Sequence, residues 1–333
     1  MERILLSYGG GGRQMRSLIN NLMLKEFRNP ILRELSDSAR LNYKEQLAFT
    51  TDSFVVNPLW FPGGDIGKLA VCGTVNDLVM LGAVPEYLSL ALIIEEGLDY
   101  RVLKKIVASI ARSARQAEVK VVTGDTKVVE KGAADKIFIN TSGLGRILKN
   151  RRLSVKNIRP GDKIIVTGPL AQHGLAVLSR RKELDLRLGI KSDCASLNGL
   201  LIPLLRKTDG IKFMRDPTRG GVAAVLNEVA QASGLGIIIE EGKIPLLARA
   251  RSACELLGLD PLTIANEGAA IIAASPAGAS EALNFLRRHP LGRRAQVIGT
   301  VAGGRNGRVV LETRLGTQRL VEMPAGEALP RIC

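Results

Sequence analysis

Apolar and polar positions along the chain fall into two halves, each alternating helical and extended spacing. Near the N-terminus, Met15, Leu18, Ile19 and Leu22 recur at helical intervals, which predicts an amphipathic helix over 15–35 that Pro30 brings to an end. A strand is expected over 46–51, delivering Asp52, and a helix over 66–81 carrying Asn76 and Asp77. A strand near 87–94, a helix at 99–117 and a strand at 120–123 lead into Gly124-Asp125-Thr126-Lys127, and a strand at 136–142 closes the half. The polar, basic stretch 149–160 marks a domain boundary. The second half is expected to hold strands at 163–167, 236–240, 269–274 and 295–302. Its helices are expected near 170–181, 193–206, 246–257 and 277–288, with another opened by the loop Arg215–Gly221. Two domains of α/β or α+β type, side by side, follow from that alternation.

Past Gly316 the periodicity disappears. Val321–Leu329 has neither a 3.6- nor a 2-residue repeat, and Pro324 and Gly326 both interrupt helices. Such a tail, at roughly 3.3 Å per residue, spans on the order of 50 Å when extended. It carries Cys333 at its end, so a thiol can be brought from one face of a domain into a cleft on another, or to a partner. The adjacent terminal carboxylate raises the thiol above its usual value of about 8.5, which suits a sulfur loaded by others better than an attacking nucleophile. On these residues alone, a frayed and functionless end is the commoner reading.

Composition narrows the classes. With 333 residues, 46% of them apolar, the chain can build a large core, yet no apolar run is long enough to span a bilayer. No signal peptide is evident, and the four cysteines and two histidines are scattered, without zinc or disulfide spacing. A reducing, cytoplasmic location is expected, with Cys72, Cys194, Cys254, His173 and His289 serving packing. The net charge of +15 raises nucleic-acid binding, but aromatics are only 4% and no reader motif is present. A solvated basic surface or an acidic protein partner accounts for the charge as well, so neither nucleic acid nor membrane is expected as a partner.

Candidate chemistry sits on glycines and aspartates. Gly9, Gly10, Gly11 and Gly12, followed by Arg13, could turn backbone N–H groups toward phosphates, or could simply be a hinge; the spacing is not that of a P-loop. Asp52, Asp65, Asp77, Asp125 and Asp216 each lie at an element end or beside glycine or proline. Gathered, such carboxylates repel one another unless a hard cation sits among them, and Mg²⁺ with nucleotide phosphates is the natural tenant. Taken singly, each is more often an N-cap or turn residue.

Several long motifs resemble one family. They are Thr51-Asp52-Ser53-Phe54-Val55-Val56, Phe61-Pro62-Gly63-Gly64-Asp65-Ile66-Gly67, Gly73-Thr74-Val75-Asn76-Asp77-Leu78 and Gly124-Asp125-Thr126-Lys127-Val128-Val129. Phe138-Ile139-Asn140-Thr141, Met214–Gly221, Ala265-Asn266-Glu267-Gly268 and the final Pro330-Arg331-Ile332-Cys333 complete the set. Across nearly the whole chain they resemble the hydrogenase maturation carbamoyl dehydratases, the HypE family. That family is similar to aminoimidazole ribonucleotide synthetase, thiamine-monophosphate kinase and selenophosphate synthetase.

The resemblance implies a two-domain aminoimidazole ribonucleotide synthetase-like fold, α/β and α+β. An N-terminal arm with the glycine loop would occupy 1–30, an ATP-binding and dimerisation domain 31–148, an α+β domain 155–316 and a mobile tail 317–333. ATP and Mg²⁺ would bind between the domains, near a dimer interface built on the N-terminal sheet. Asp52, Asp65, Asp77, Asp125 and Asp216 would hold metal, with Gly9 to Gly12, Asn76, Thr126, Asn140 and Arg219 assisting nucleotide binding. A carbamoyltransferase, HypF, would load Cys333. ATP would then activate the carbamoyl oxygen, Lys127 would stabilise charge and Glu267 would act as base, giving an S-cyano group. The HypC–HypD complex would receive the cyanide, with nickel-insertion maturation proteins as further partners. Two departures bear on this: the N-terminal loop is all glycine where relatives often carry a serine, and Ala269 stands where a basic residue is common. A kinase or synthetase of the same superfamily, or a non-catalytic assembly scaffold, are the competing readings.

Overall fold

The computed structural model describes residues 3–5, 8, 17–33, 41, 43–181, 188–304, 307–324, 329 and 331–333. Gly9 to Gly12 lie outside the described residues.

The N-terminal domain is a four-stranded sheet with helices on one face. In chain order its strands are β1 (Leu47–Phe54), β4 (Ala83–Glu95), β5 (Lys120–Val129) and β6 (Ile137–Ile147), placed β1-β6-β4-β5. A small hairpin, β2 (Trp60–Phe61) and β3 (Gly64–Asp65), precedes the first long helix, α1 (Ile66–Met80). Only β4 and β5 run parallel, joined by α2 (Tyr100–Gln116) as a crossover. Helix α1 is apolar on all sides and almost wholly buried, because it lies between the sheet, α2 and a helix of the second domain. The expected N-terminal helix is broken: a π turn Ile19–Met23 runs into Leu24–Phe27, and Pro30–Arg33 forms a separate turn. Arg28, left-handed at φ 49°, makes the break two residues before Pro30.

Strand parity decides which side chains the sheet buries. Ala48, Phe54, Leu88, Leu90, Leu92, Ile94 and Ile139 are buried. The opposite face is open: Phe49 is 72% exposed and Ile93 42%, with Thr51 and Ser53 also in water.

In the second domain, β7 (Lys163–Val166), β8 (Ile211–Arg215), β9 (Gly236–Glu240), β10 (Ile271–Ala274), β11 (Gln296–Ala302), β12 (Val309–Glu312) and β13 (Gln318–Leu320) form one sheet. Their order is β13-β12-β9-β11-β7-β10-β8. Its helices include α3 (Gln172–Leu178), α4 (Asn198–Lys207) and α5 (Gly221–Ser233). Strand β13 lies within the stretch expected as tail from 317: 318–320 pair with β12 and Val321 is buried. Among the described residues no helix is long and apolar enough to cross a membrane.

Asp65, expected to hold metal, is the N-cap of α1. Its Oδ1 accepts from the amides of Gly67 at 2.9 Å and Lys68 at 3.0 Å, and Oδ2 accepts from Ser109 Oγ at 2.7 Å. Both oxygens are therefore committed to tying α1 to α2. Asp65→Ala is expected to cost about 2 kcal/mol, the upper end for a cap, because the freed Gly67 amide and Ser109 hydroxyl are buried. Denaturant unfolding checks this; a loss within about 0.5 kcal/mol, the scatter of ordinary surface substitutions, would show that the cap is dispensable.

Candidate active site

Four acidic side chains converge where the domains meet. Asp52 lies on β1 in the same parity as Phe54, hence facing α1, and Thr50 on that face donates to Asp77 Oδ2 at 2.8 Å. Asp216 follows β8, and Arg219 in its loop stands 4.0 Å from Asp52. Glu267 is buried on the loop before β10. Each is pushed above its ordinary range. Burial is the leading cause for all four, and their mutual repulsion adds for Asp77, Asp216 and Glu267. Asp216 reaches about 7, and Glu267 lies well above the carboxylate range.

The loops bearing these groups are locked together by buried polar contacts. Asn266, fully buried, accepts from Ala171 N at 2.8 Å, while its amide donates to Ile264 O at 2.9 Å and Pro217 O at 3.3 Å. Asn266 therefore fixes the Glu267 loop against the Asp216 loop. Asp193 takes the amides of Glu267 at 3.3 Å and Gly268 at 3.0 Å. A Cβ on Gly268 would stand 1.8 Å from Asp193 O, so no other residue fits there.

Other predicted residues lie elsewhere. Asn76 is buried, and its side chain is spent on backbone: it donates to Ala195 O at 3.0 Å and Glu267 O at 3.4 Å, and accepts from Leu197 N at 2.8 Å. It clamps the domains together. Asp125 and Lys127 flank buried Thr126 on β5 and point to the open face of the sheet, where they pair at 3.6 Å. Asn140 donates to Asp52 O at 2.9 Å and also to Ser53 Oγ at 3.0 Å, bracing β1 from β6. Within one chain, then, the expected five-aspartate cluster does not assemble. Among the described residues no three His, Cys, Asp or Glu side chains are placed to hold a metal unaided. Ala269 is buried and lines, with Gly268, Arg293 and Arg294, a cleft of about 340 Å³.

The end of the chain is docked at this junction. Val55 N donates to Cys333 O at 3.1 Å and Asn57 N to Arg331 O at 3.1 Å, so 331–333 extend alongside the segment that continues β1. Arg331 donates to Val55 O and to Asp135, both at 3.0 Å, and Ile332 is buried. Ile332 O is 2.6 Å from Nε2 of His173, a residue whose sequence context suggests packing alone. No local signal marks it, since its tail partner lies 159 positions away.

Residues 35–147 match the N-terminal domain of AIR synthase related proteins and 159–312 the C-terminal domain. The carbamoyl dehydratase HypE of Rhodobacter capsulatus is 47% identical over 335 residues, covering 100% of this chain and 98% of that one. The chain belongs to the HypE family. A solved HypE in complex with ATP superposes with a TM-score of 0.95 at 49% identity, covering 99% of both chains. A chain of a HypE–HypF complex matches with a TM-score of 0.81 at 48% identity, covering 92% of this chain and 100% of that one.

Proposed function

We propose that this chain is an ATP-dependent dehydratase whose substrate is a carbamoyl group carried on its own Cys333. The observation that carries the reading is the docked tail. Cys333 is hydrogen-bonded through its backbone to Val55, three residues beyond Asp52 on the same extended segment, on the order of 10 Å along the backbone. A group on that sulfur is thus delivered beside the acidic junction by its own chain.

A thiocarbamate, S–C(=O)–NH₂, has a very poor leaving group in its oxygen. Transfer of the ATP γ-phosphoryl to that oxygen makes it leave as phosphate, and removal of both N–H protons gives S–C≡N. One of those protons ends on the phosphate and the other is released, alongside ADP. Glu267 is assigned as proton acceptor: burial and then the neighbouring carboxylates raise its affinity for a proton, and a cation among those carboxylates would let it ionise first. Mg²⁺ fits the donor set: it is usually held by one or two carboxylates together with substrate phosphates, so a complete protein cage is not required. Asp52, Asp77 and Asp216 would supply those oxygens, and the ion would neutralise phosphate charge. Arg219 beside Asp52 is placed to bind phosphate.

The open sheet face suits a homodimer, in which Phe49 and Ile93 would be covered and Asp125 and Lys127 enclosed near the second copy. Similarity to the HypF-complexed relative supports HypF as a partner, assigned here as the carbamoyltransferase that loads Cys333, and the HypC–HypD complex is assigned as acceptor of the cyanide. Intact mass measurement of the protein incubated with loading enzyme, carbamoyl phosphate and ATP tests the reading. A carbamoyl adduct on Cys333 should form, and it should lose one water only when ATP is supplied. Loss of water without ATP, or an adduct elsewhere, contradicts it.

A further inference from the structure

His173 is completely buried, edge-on to Phe61 with ring centroids 5.2 Å apart. Its ring nitrogens face two separate parts of the chain: Nε2 lies 2.6 Å from Ile332 O, and Nδ1 lies 2.8 Å from Ser192 Oγ. A carbonyl can only accept, so Nε2 carries the proton. Burial holds the imidazole neutral, with its pKa lowered to about 4, which leaves Nδ1 as an acceptor. The Ser192 hydroxyl must then donate to it, while its oxygen accepts from Cys194 N at 3.0 Å. Every hydrogen bond in this chain has one permitted direction.

Ser192 is itself fixed from the other side. Its amide donates to Pro62 O at 2.7 Å, and a Cβ on Gly63, where φ is +94°, would stand 2.8 Å from Ser192 O. One residue further, Asp193 grips the amides of Glu267 and Gly268, and Ala195 N donates to Glu267 O at 3.2 Å. The peptide before Cys333 and the backbone of Glu267 are thus both anchored to the four residues 192–195.

We infer that His173 and Ser192 are positioning residues that hold the docked tail and Glu267 in register, so that the base is correctly placed when the tail is seated. This rests on the reading that Cys333 carries the substrate and Glu267 removes its protons. When the tail withdraws, the buried Nε2–H loses its acceptor, and the link that runs from the tail through His173 to Ser192 is broken. Neither residue touches the reacting atoms, and their effect is on geometry alone.

The test uses full-length protein carbamoylated on Cys333, comparing Ser192→Ala, His173→Gln and the double variant. Three quantities are measured: the single-turnover rate of water loss with ATP, the KM for ATP, and the alkylation rate of Cys333 in unloaded protein. S192A keeps the Ile332 bond but cuts the link to the loop. It should slow dehydration on the order of tenfold or more while KM for ATP stays unchanged. H173Q should slow dehydration comparably and also speed Cys333 alkylation, because the tail is held less firmly. The double variant should be no slower than the worse single one, since the two residues act as a unit. Rates that multiply in the double variant, or dehydration at the native rate in S192A, overturn the inference. S192A alone decides it where H173Q fails to fold. Failure of the dehydratase reading looks different: the unsubstituted protein itself would lose no water.

Discussion

Cys333→Ala protein should bind ATP as the native chain does, yet form no carbamoyl adduct and no S-cyano product. The loss should be complete because, on the proposed reading, the substituted atom is the attachment point of the substrate, and no neighbouring thiol is placed to substitute for it. Cys72, Cys194 and Cys254 are buried, Cys194 in an environment that raises its thiol through contact with Cys72, then through burial. The substitution is also structurally mild. The tail is docked through backbone groups of Arg331, Ile332 and Cys333 and through the Arg331 side chain, all of which an alanine at the last position would preserve. An unchanged melting temperature should therefore accompany total loss of product, which separates a missing substrate from a damaged fold. A kinase or synthetase acting on a free small molecule would keep its turnover in this variant. ATP-dependent phosphate release at the native rate from C333A, with the loading enzyme present, would remove the tail from the mechanism.

How much of this is legible in the sequence differs from residue to residue. The apolar pattern predicts helix α1 over 66–81 and it spans Ile66–Met80, because Asp65 supplies its cap and an unbroken apolar run follows. That same cap accounts for where the Asp65 oxygens are spent: the residue preceding Ile-Gly-Lys has an N-cap reading available, and the structure adopts it. The separation of Asp125 and Lys127 from Asp52 follows from strand parity. Thr126 is the buried member of its run, so its neighbours must face the other side. Periodicity alone cannot fix that phase in a stretch as short as Lys120–Thr123. Strand β13 is illegible because all three of its residues are exposed, leaving no alternation to read. His173, Ser192 and Asn266 are illegible as functional residues for another reason. Their importance lies in partners far along the chain, and a single buried polar residue looks the same whether it braces a core or a site. The motif containing Asn266 points to the right loop, but only the geometry separates the bracing role of Asn266 from the chemical role assigned to Glu267.

Asp216→Asn should make the protein more stable in alkaline solution and nearly inactive. The sign follows from linkage. Asp216 titrates at about 7 in the folded chain, raised by burial and then by Asp77, against 3.8 as the ordinary value. Between those values the folded state holds a proton that the unfolded state has released, so stability falls as pH rises through that window. Above about 7 the penalty is complete, and below 3.8 it is absent. A shift of that size corresponds at most to about 4 kcal/mol, and contact of the half-buried side chain with water reduces it to roughly 1–2 kcal/mol. Asparagine keeps the shape without the charge, so D216N should melt higher than the native protein at pH 8, and the gain should vanish near pH 4. Turnover should fall on the order of a hundredfold or more, because an oxygen that neutralises phosphate charge is replaced by a neutral amide. A destabilised D216N at pH 8, or activity within a few-fold of native, would show that Asp216 is structural. The opposite movement of the two properties is the signature of a carboxylate kept in an unfavourable place for the sake of a cation, and thermal melts with and without Mg²⁺ extend the argument. In the native chain Mg²⁺ with ATP should raise the melting temperature more at pH 8 than at pH 6, because only the ionised cluster has repulsion to relieve, and in D216N that difference should shrink.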